Sequence, residues 1–341
     1  MMSDITSREI HLASRPVGLP TESDFSLVER TLAAPAQSEV LVRNIWMSVD
    51  PYMRGRMIER KSYVPPFAIG AVLQGGAIGQ VLQSNHAGFA IGDYVLSMNG
   101  WREAFLSDGR DLTKVDPALA PIQSYLGVLG MPGMTAYAGL LKIGEPKAGE
   151  TVFVSAASGA VGAIVCQIAK AKDCTVIGSV GSDEKAAWLK SVGVDRTINY
   201  RTCGDLESAL RDAAPEGIDI YFENVGGDHL TAALETMNLF GRIVMCGMIS
   251  GYNDTERRPG PPNLFHLIGK NLKMQGFIVT QLWDMHGAFL DDMAQWIPAG
   301  KIQWRETHLD GIENAPAAFR NLFSGDNFGK MLVRLGADPA I

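Results

Sequence analysis

The sequence predicts an α/β protein: a doubly wound parallel sheet of six strands, joined to a second domain that is mainly β. Three observations predict it. From residue 151 onward, short apolar runs alternate with segments whose apolar residues recur at three- and four-residue spacing, the pattern of βαβ units. At the head of that alternation, "VFVSAASGAVGAIVCQ" takes a strand through a glycine-containing turn directly into an amphipathic helix. A chain of 341 residues is also longer than one hydrophobic core usually supports, so two domains are expected.

Residues 1–129 carry short β-like pieces at 39–49, 71–82, 93–96 and 102–106, punctuated by Gly, Pro and Asn, and read as a compact, irregular β domain. "GMPGMTAY" (130–137) is where the chain is expected to cross into the second domain, its glycines suiting a hinge. The six strands of that domain are expected at 151–156, 174–180, 196–200, 218–225, 241–247 and 272–279. Between them, helices are marked by Val161, Ile164, Val165, Ile168 and Ala169, then by Ala187, Leu189 and Val192, then by Leu206, Ala209 and Leu210. The tail, from about residue 300, has strand-like pieces at 307–309 and 331–335 around a helix at 315–323, and is expected to complete the first domain. The expected division is therefore 1–129 with 300–341, and 130–299.

Thirty Lys and Arg against 37 Asp and Glu give a net charge of −7 with no basic run, which removes the electrostatic footprint of a nucleic-acid binder. The uncharged stretch 151–169 has the length of a membrane span, but Ser155, Ser158, Gly159 and Gly162 interrupt it, so no membrane partner is expected. The opening "MMSDITSREIHLASRP" has Asp4, Arg8 and Glu9 where a secretory signal needs hydrophobes, and a cytoplasmic location is expected. Cys166, Cys174, Cys203 and Cys246 form no CxxC and no Cys/His cluster, so neither a metal site nor a disulfide framework is expected. The six histidines stand in no recognisable catalytic spacing. Small-molecule chemistry remains.

In the turn, Gly159 would let the backbone approach a pyrophosphate and Gly162 would let the helix pack close to the sheet; the amides of Gly159, Ala160 and Val161 and the positive end of the helix would hold the anion. The alternative is a tight packing turn with no ligand. Whether the dinucleotide is NAD or NADP is decided at the end of the second strand. There "TVIGSV" runs into Gly181-Ser182, the first carboxylate is Asp183, and Lys185 follows. A small hydroxyl residue beside a cation favours the 2′-phosphate of NADP; the rival reading gives Asp183 to an NAD ribose, and the bland one makes it a helix cap.

"DPYMR" (50–54), "GMPGMTAY" (130–137), "AASGAVG" (156–162), "GSDEK" (181–185), "NY" (199–200), "ENVGG" (223–227), "CGMISGYN" (246–253) and "GDNFGK" (325–330) together resemble the zinc-independent medium-chain dehydrogenase/reductases. Within them the chain is similar to the prostaglandin reductase/leukotriene B4 12-hydroxydehydrogenase branch, with its curcumin and alkenal double-bond reductases, over nearly its whole length. The resemblance implies a GroES-like catalytic domain interrupted by a Rossmann domain, NADPH as cofactor, an enone or enal as substrate, and a homodimer. It carries cofactor contacts onto Gly159, Ala160 and Val161, onto Lys185 and Tyr200 at the 2′-phosphate, and onto Asn224, Cys246, Gly247, Ile249, Ser250, Phe277, Val279 and Asn327 toward the nicotinamide. Ser158 and Gly251 depart from the family's usual residues. Zinc-containing cousins place a Cys in the segment matching "MSVDPYMR" and a His near "FAIGAVLQGG"; this chain has neither, which implies metal-free chemistry.

Such chemistry needs a hydrogen-bond donor for the oxyanion that conjugate reduction creates, and a neutral phenol can donate one. Tyr252, in the loop after the fifth strand, is the first candidate and Tyr52, after Asp50-Pro51, the second; the plain alternative for each is a packed aromatic at the domain boundary. Thr135 is a candidate for contact with the nicotinamide amide, against an N-cap without a ligand. The loop 251–263, rich in Pro, Gly and charge, is either a lid or a connector. Quinone reduction and a non-catalytic, crystallin-like NADPH-binding role are the rival functions.

Overall fold

The structure is a computed structural model that describes residues 5–338. It divides into two compact units: the described residues through Gly127 with Glu306–Asn327 and those from Met331 onward form one, and Val128–Arg305 with Phe328–Lys330 form the other. In chain order the strands of the first unit are β1 (Ile5–Leu12), β2 (Phe25–Leu32), β3 (Val40–Ser48), β4 (Ala77–Ser84), β5 (Tyr94–Ser97), β6 (Ala104–Ser107) and β7 (Thr113–Val115). The second unit supplies β8 (Thr151–Val154), β9 (Thr175–Val180), β10 (Arg196–Asn199), β11 (Ile218–Glu223), β12 (Met237–Met245) and β13 (Lys273–Gly276). Last come β14 (Glu306–Asp310) and β15 (Lys330–Arg334), which bracket the helix Ala315–Ser324. Among the described residues no helix is long and apolar enough to cross a membrane.

The first unit joins β14, β15, β3, β4, β5 and β7 in that order, with β6 also paired to β3, and a separate antiparallel hairpin of β1 and β2. The sequence signal misses that hairpin. β1 turns Ser7 and Glu9 inward, so the apolar alternation that marks a half-buried strand is absent there. Ser7 is satisfied instead by donating to the Ala104 carbonyl at 2.9 Å.

The second unit holds the six-stranded sheet in the order β10-β9-β8-β11-β12-β13, all parallel. Its central strands are apolar on both faces because helices cover both, whereas the edge strands β10 and β13 are polar and partly exposed. Val152, Val154, Ile220, Phe222 and Val244 pack with Ile164, Val165 and Ile168 of the helix Gly162–Ala171. The alternate residues Phe153, Tyr221 and Ile243 point to the opposite layer, where Phe153 and Tyr221 stack with centroids 5.0 Å apart. Each such buried side chain contributes roughly 1.5–3 kcal/mol. β12 starts earlier than the sequence pattern predicts: Met237 pairs with Ile218, the register then shifts, and Phe240 takes a left-handed φ of 61°. The strand order reverses between β8 and β11, the switch point beside which ligands of open α/β sheets bind.

Candidate cofactor and active site

The residues that follow β8, β9, β11 and β12 all lie at the carboxyl edge of this sheet. After β8, Ala156 takes a left-handed φ of 47°, and the chain turns back so that the Gly159 N–H donates to the Ala156 carbonyl at 3.0 Å. The Gly159 amide is therefore engaged in closing the turn, contrary to the expectation that it is free. The amides of Ala160 and Val161, ahead of the helix Gly162–Ala171, have no acceptor among the described residues and remain as donors at the positive helix end. Gly162 is obligatory for a different reason: a Cβ there would stand 2.4 Å from the Ala156 carbonyl oxygen and 2.9 Å from the Ala157 Cα. The tail closes on the same turn. Gly329 donates to the Ser158 carbonyl at 3.0 Å, and Phe328 sits edge-on to Trp188 at 5.2 Å. Asn327, half-buried, directly precedes that segment.

At the end of β9, Ser182 caps the helix Asp183–Ser191 by accepting from the Lys185 N–H at 3.3 Å. Asp183, the residue on which NAD would depend, accepts from the Asn199 side-chain amide at 2.8 Å. A side chain at Gly181 would displace the ends of two neighbours: its Cβ would lie 2.8 Å from the Tyr200 hydroxyl oxygen and 3.3 Å from Nε of Arg201. Tyr200 is 38% exposed and rests edge-on on the ring of His229, with centroids 5.3 Å apart. The buried His229 shares a hydrogen bond of 2.9 Å between Nε2 and the Ser179 hydroxyl.

Burial pushes the His229 imidazole down to about 4, against which Asp228 pulls only weakly. The sign of the consequence follows. The unfolded chain takes up this proton below about pH 6.5, whereas the folded chain resists it until about pH 4. The stability that this histidine confers is therefore complete above pH 6.5 and is lost as the pH falls through that window, by at most about 3 kcal/mol. Acid unfolding followed by circular dichroism is expected to shift to lower pH in His229→Gln relative to each protein's neutral-pH stability; an unchanged profile would remove His229 as the cause.

Beneath the switch point lies a buried polar network. Glu223, fully buried, accepts through Oε1 from the Tyr221 hydroxyl at 2.7 Å, the Ser155 hydroxyl at 3.0 Å and the Val225 N–H at 2.6 Å. Burial holds its carboxyl above the usual range despite these donors. Asn224 bonds back to the end of β8, its N–H to the Ser155 hydroxyl at 2.9 Å and its side-chain amide to the Ser155 carbonyl at 2.8 Å. Cys246 and Gly247 both donate to the Glu223 carbonyl at 3.0 Å, Ile249 donates to the Asn224 carbonyl at 3.2 Å and Ser250 to that of Val225 at 3.0 Å. The loop after β12 is thereby tied to the end of β11. Burial pushes the Cys246 thiol up to about 12, so it is a neutral wall rather than a nucleophile.

Tyr252 follows the short turn Ile249–Gly251, and its hydroxyl oxygen accepts from the Met248 N–H at 3.2 Å. Thr135 is not a cap: Gly130 caps the helix Met131–Ala138, and the Thr135 hydroxyl donates one turn back to the Met131 carbonyl at 2.7 Å. Phe277 and Val279 follow β13 and pack on the core cluster of that unit. The loop from Gly251 is fastened at its far end, where the Asn263 amide donates to the Thr231 carbonyl at 3.0 Å and to Glu235 at 2.6 Å. In the first unit, Tyr52 opens the helix Tyr52–Arg56. Burial, then the nearby Asp50, drive its phenol well above the ordinary range while Arg56 pulls the other way. Arg56 itself is held by the Pro65 carbonyl at 3.0 Å and Gln74 at 2.9 Å, over the Phe67 ring.

Residues 8–115 match the model described as the N-terminal domain of oxidoreductase, and residues 160–295 that of zinc-binding dehydrogenase. The chain is 46% identical to the NADPH-dependent curcumin reductase of Escherichia coli over 96% of both chains. It is 44% identical to the 2-alkenal reductase (NADP(+)-dependent) of Nicotiana tabacum, covering 99% of this chain and 100% of that one. The crystal structure of CurA in complex with NADPH from Vibrio vulnificus superposes with a TM-score of 0.92 at 45% identity, covering 97% of this chain and 100% of the other. The chain belongs to the medium-chain dehydrogenase/reductase family. Among the described residues no three His, Cys, Asp or Glu side chains converge to hold a metal ion. The end of β9 presents Gly181 close to the Tyr200 hydroxyl and to Nε of Arg201, beside a carboxylate, that of Asp183, already engaged by Asn199.

Proposed function

We propose that this medium-chain reductase saturates the C=C bond of α,β-unsaturated ketones and aldehydes at the expense of NADPH. The observation that carries the reading is the corner at Gly181, where Asp183 is engaged by Asn199 and Nε of Arg201 stands close, in a chain so similar to curcumin and alkenal reductases. When bound, NADPH supplies the hydride delivered to the β-carbon of the substrate. The chain's own residues bind, orient and stabilise charge. The amides of Ala160 and Val161 take the pyrophosphate, Gly159 lets the backbone come close, and Lys185 and Tyr200 take the 2′-phosphate. Asn224, Cys246, Gly247, Ile249, Ser250, Phe277, Val279, Thr135 and Asn327 shape the nicotinamide half.

Tyr252 donates its hydroxyl proton toward the substrate's carbonyl oxygen as negative charge builds there, and its bond from Met248 orients it for that task. Tyr52, whose phenol burial keeps protonated, serves as a hydrogen-bond donor rather than as a source of protons. We assign residues 1–129 with 300–341 to the catalytic domain and 130–299 to the NADP domain.

We place the enzyme in the cytoplasm, as its four free thiols suit a reducing compartment, and subcellular fractionation checks this. We further assign a homodimer. The exposed Leu239, Phe240, Phe265 and Ile268 of the second unit support it, and sedimentation should give twice the 36.8 kDa chain mass. The activity itself is tested by mixing protein, NADPH and a panel of enones, enals and quinones, following cofactor absorbance and identifying products. Saturated carbonyl products are expected; hydroquinones alone, or binding without turnover, would reject the reading.

A further inference from the structure

Neither the sequence signal nor the family resemblance marks Arg201, in the turn after β10, yet its Nε lies close to Gly181 at the end of β9. Its place is set by Asn199. β10 runs parallel to β9 with Asn199 opposite Val180, and Tyr200 extends the pairing by donating to the Val180 carbonyl at 3.0 Å. The chain then turns sharply: Thr202 and Cys203 donate to the Asn199 carbonyl at 3.1 and 2.9 Å, while the Arg201 N–H is held by the Asn199 side-chain oxygen at 3.1 Å. That turn brings Nε of Arg201 to 3.3 Å from the position a Gly181 Cβ would occupy. The same Asn199 engages Asp183 through its amide nitrogen. One side chain thus holds the backbone of Arg201 at the corner and occupies the carboxylate of Asp183.

We infer that Arg201 is a specificity-determining residue, the second cation of the adenosine 2′-phosphate corner opposite Lys185. This rests on the reading that the corner takes that phosphate. The two cations come from different elements, Lys185 from the helix Asp183–Ser191 and Arg201 from the turn after β10. They also differ in kind. The lysine ammonium is a point charge, whereas the planar guanidinium meets two phosphate oxygens with paired N–H donors. The Tyr200 hydroxyl, seated on neutral His229, adds a third donor that does not depend on charge. NADH offers only a ribose hydroxyl there, so the guanidinium discriminates between the coenzymes where a purely structural arginine would not.

The test measures dissociation constants for NADPH and NADH by fluorescence titration of the full chain in parent, Arg201→Gln and Arg201→Lys. Arg201→Gln is expected to weaken NADPH about 10-fold or more, the scale of a lost charge-assisted bond, and to leave NADH within about twofold. Arg201→Lys should recover part of the loss. Raising the salt concentration should weaken NADPH less steeply in Arg201→Gln than in the parent. NADPH affinity within twofold of the parent, or NADH weakened in parallel, would overturn the assignment and make Arg201 structural. A parent that binds NADPH no better than NADH would instead overturn the phosphate reading itself, and this inference with it.

Discussion

Tyr252→Phe is expected to lower kcat for enone reduction by about 10²- to 10⁴-fold, the usual contribution of one positioned proton donor. NADPH affinity should stay within about twofold. The substitution keeps the ring and removes only the hydroxyl, whose hydrogen bond from the Met248 N–H, 3.2 Å long, is exposed, so that water can replace it. The fold should accordingly be undisturbed, and the loss should fall on kcat rather than on cofactor binding. Tyr52→Phe should cost less than about tenfold, because a phenol whose proton burial holds fast contributes as a donor and not as an acid. Stopped-flow measurement of the reductive step in both variants separates the two roles. A Tyr252→Phe enzyme within threefold of the parent would take the proton-donor role away from this residue.

The second large effect is expected at Gly162. In Gly162→Ala the new methyl carbon would meet backbone on two sides, 2.4 Å from the Ala156 oxygen and 2.9 Å from the Ala157 Cα, and backbone cannot rotate out of the way as a side chain can. Either the helix retreats from the sheet or the turn opens. Overpacking of this kind costs about 1–3 kcal/mol, which lowers the melting temperature of the cofactor-free protein by several degrees. Displacing the amides of Ala160 and Val161 should weaken NADPH by at least about tenfold, since the charge-assisted bonds they offer a phosphate depend on alignment. Gly269→Ala, where a Cβ would meet nothing within 4 Å, is the matched control and should change neither quantity. Calorimetry and cofactor titration of both variants decide it; unchanged melting and affinity in Gly162→Ala would show that the turn is softer than its contacts imply.

What could be read from the chain alone depended on how local the governing forces are. The six strands and the first three crossover helices were legible because contiguous residues specify them: apolar runs in the central strands, where both sheet faces are covered, and three-four spacing where one helix face is. The β1–β2 hairpin was not legible, because Ser7 and Glu9 occupy inward positions, and Ser7 is satisfied by a partner far along the chain, the Ala104 carbonyl. The left-handed start of β12 at Phe240 was equally silent, since no glycine or asparagine stands there to announce it.

The candidate site divides along the same line. By itself the sequence determined the class of fold, the strand–turn–helix that offers amides to an anion, the absence of an acidic residue at Gly181, and the choice of Tyr252 and Lys185 as residues to examine. Only the tertiary structure decided that the Gly159 amide closes its own turn, that Glu223 knots the ends of β8 and β11 together, that His229 carries Tyr200, and that Arg201 bends back over Gly181. The physical reason is separation. Ser179 and His229 meet across 50 residues and Ser155 and Glu223 across 68, and what joins such pairs is the order of strands in a parallel sheet, a property of crossovers and twist to which no short window of residues gives access.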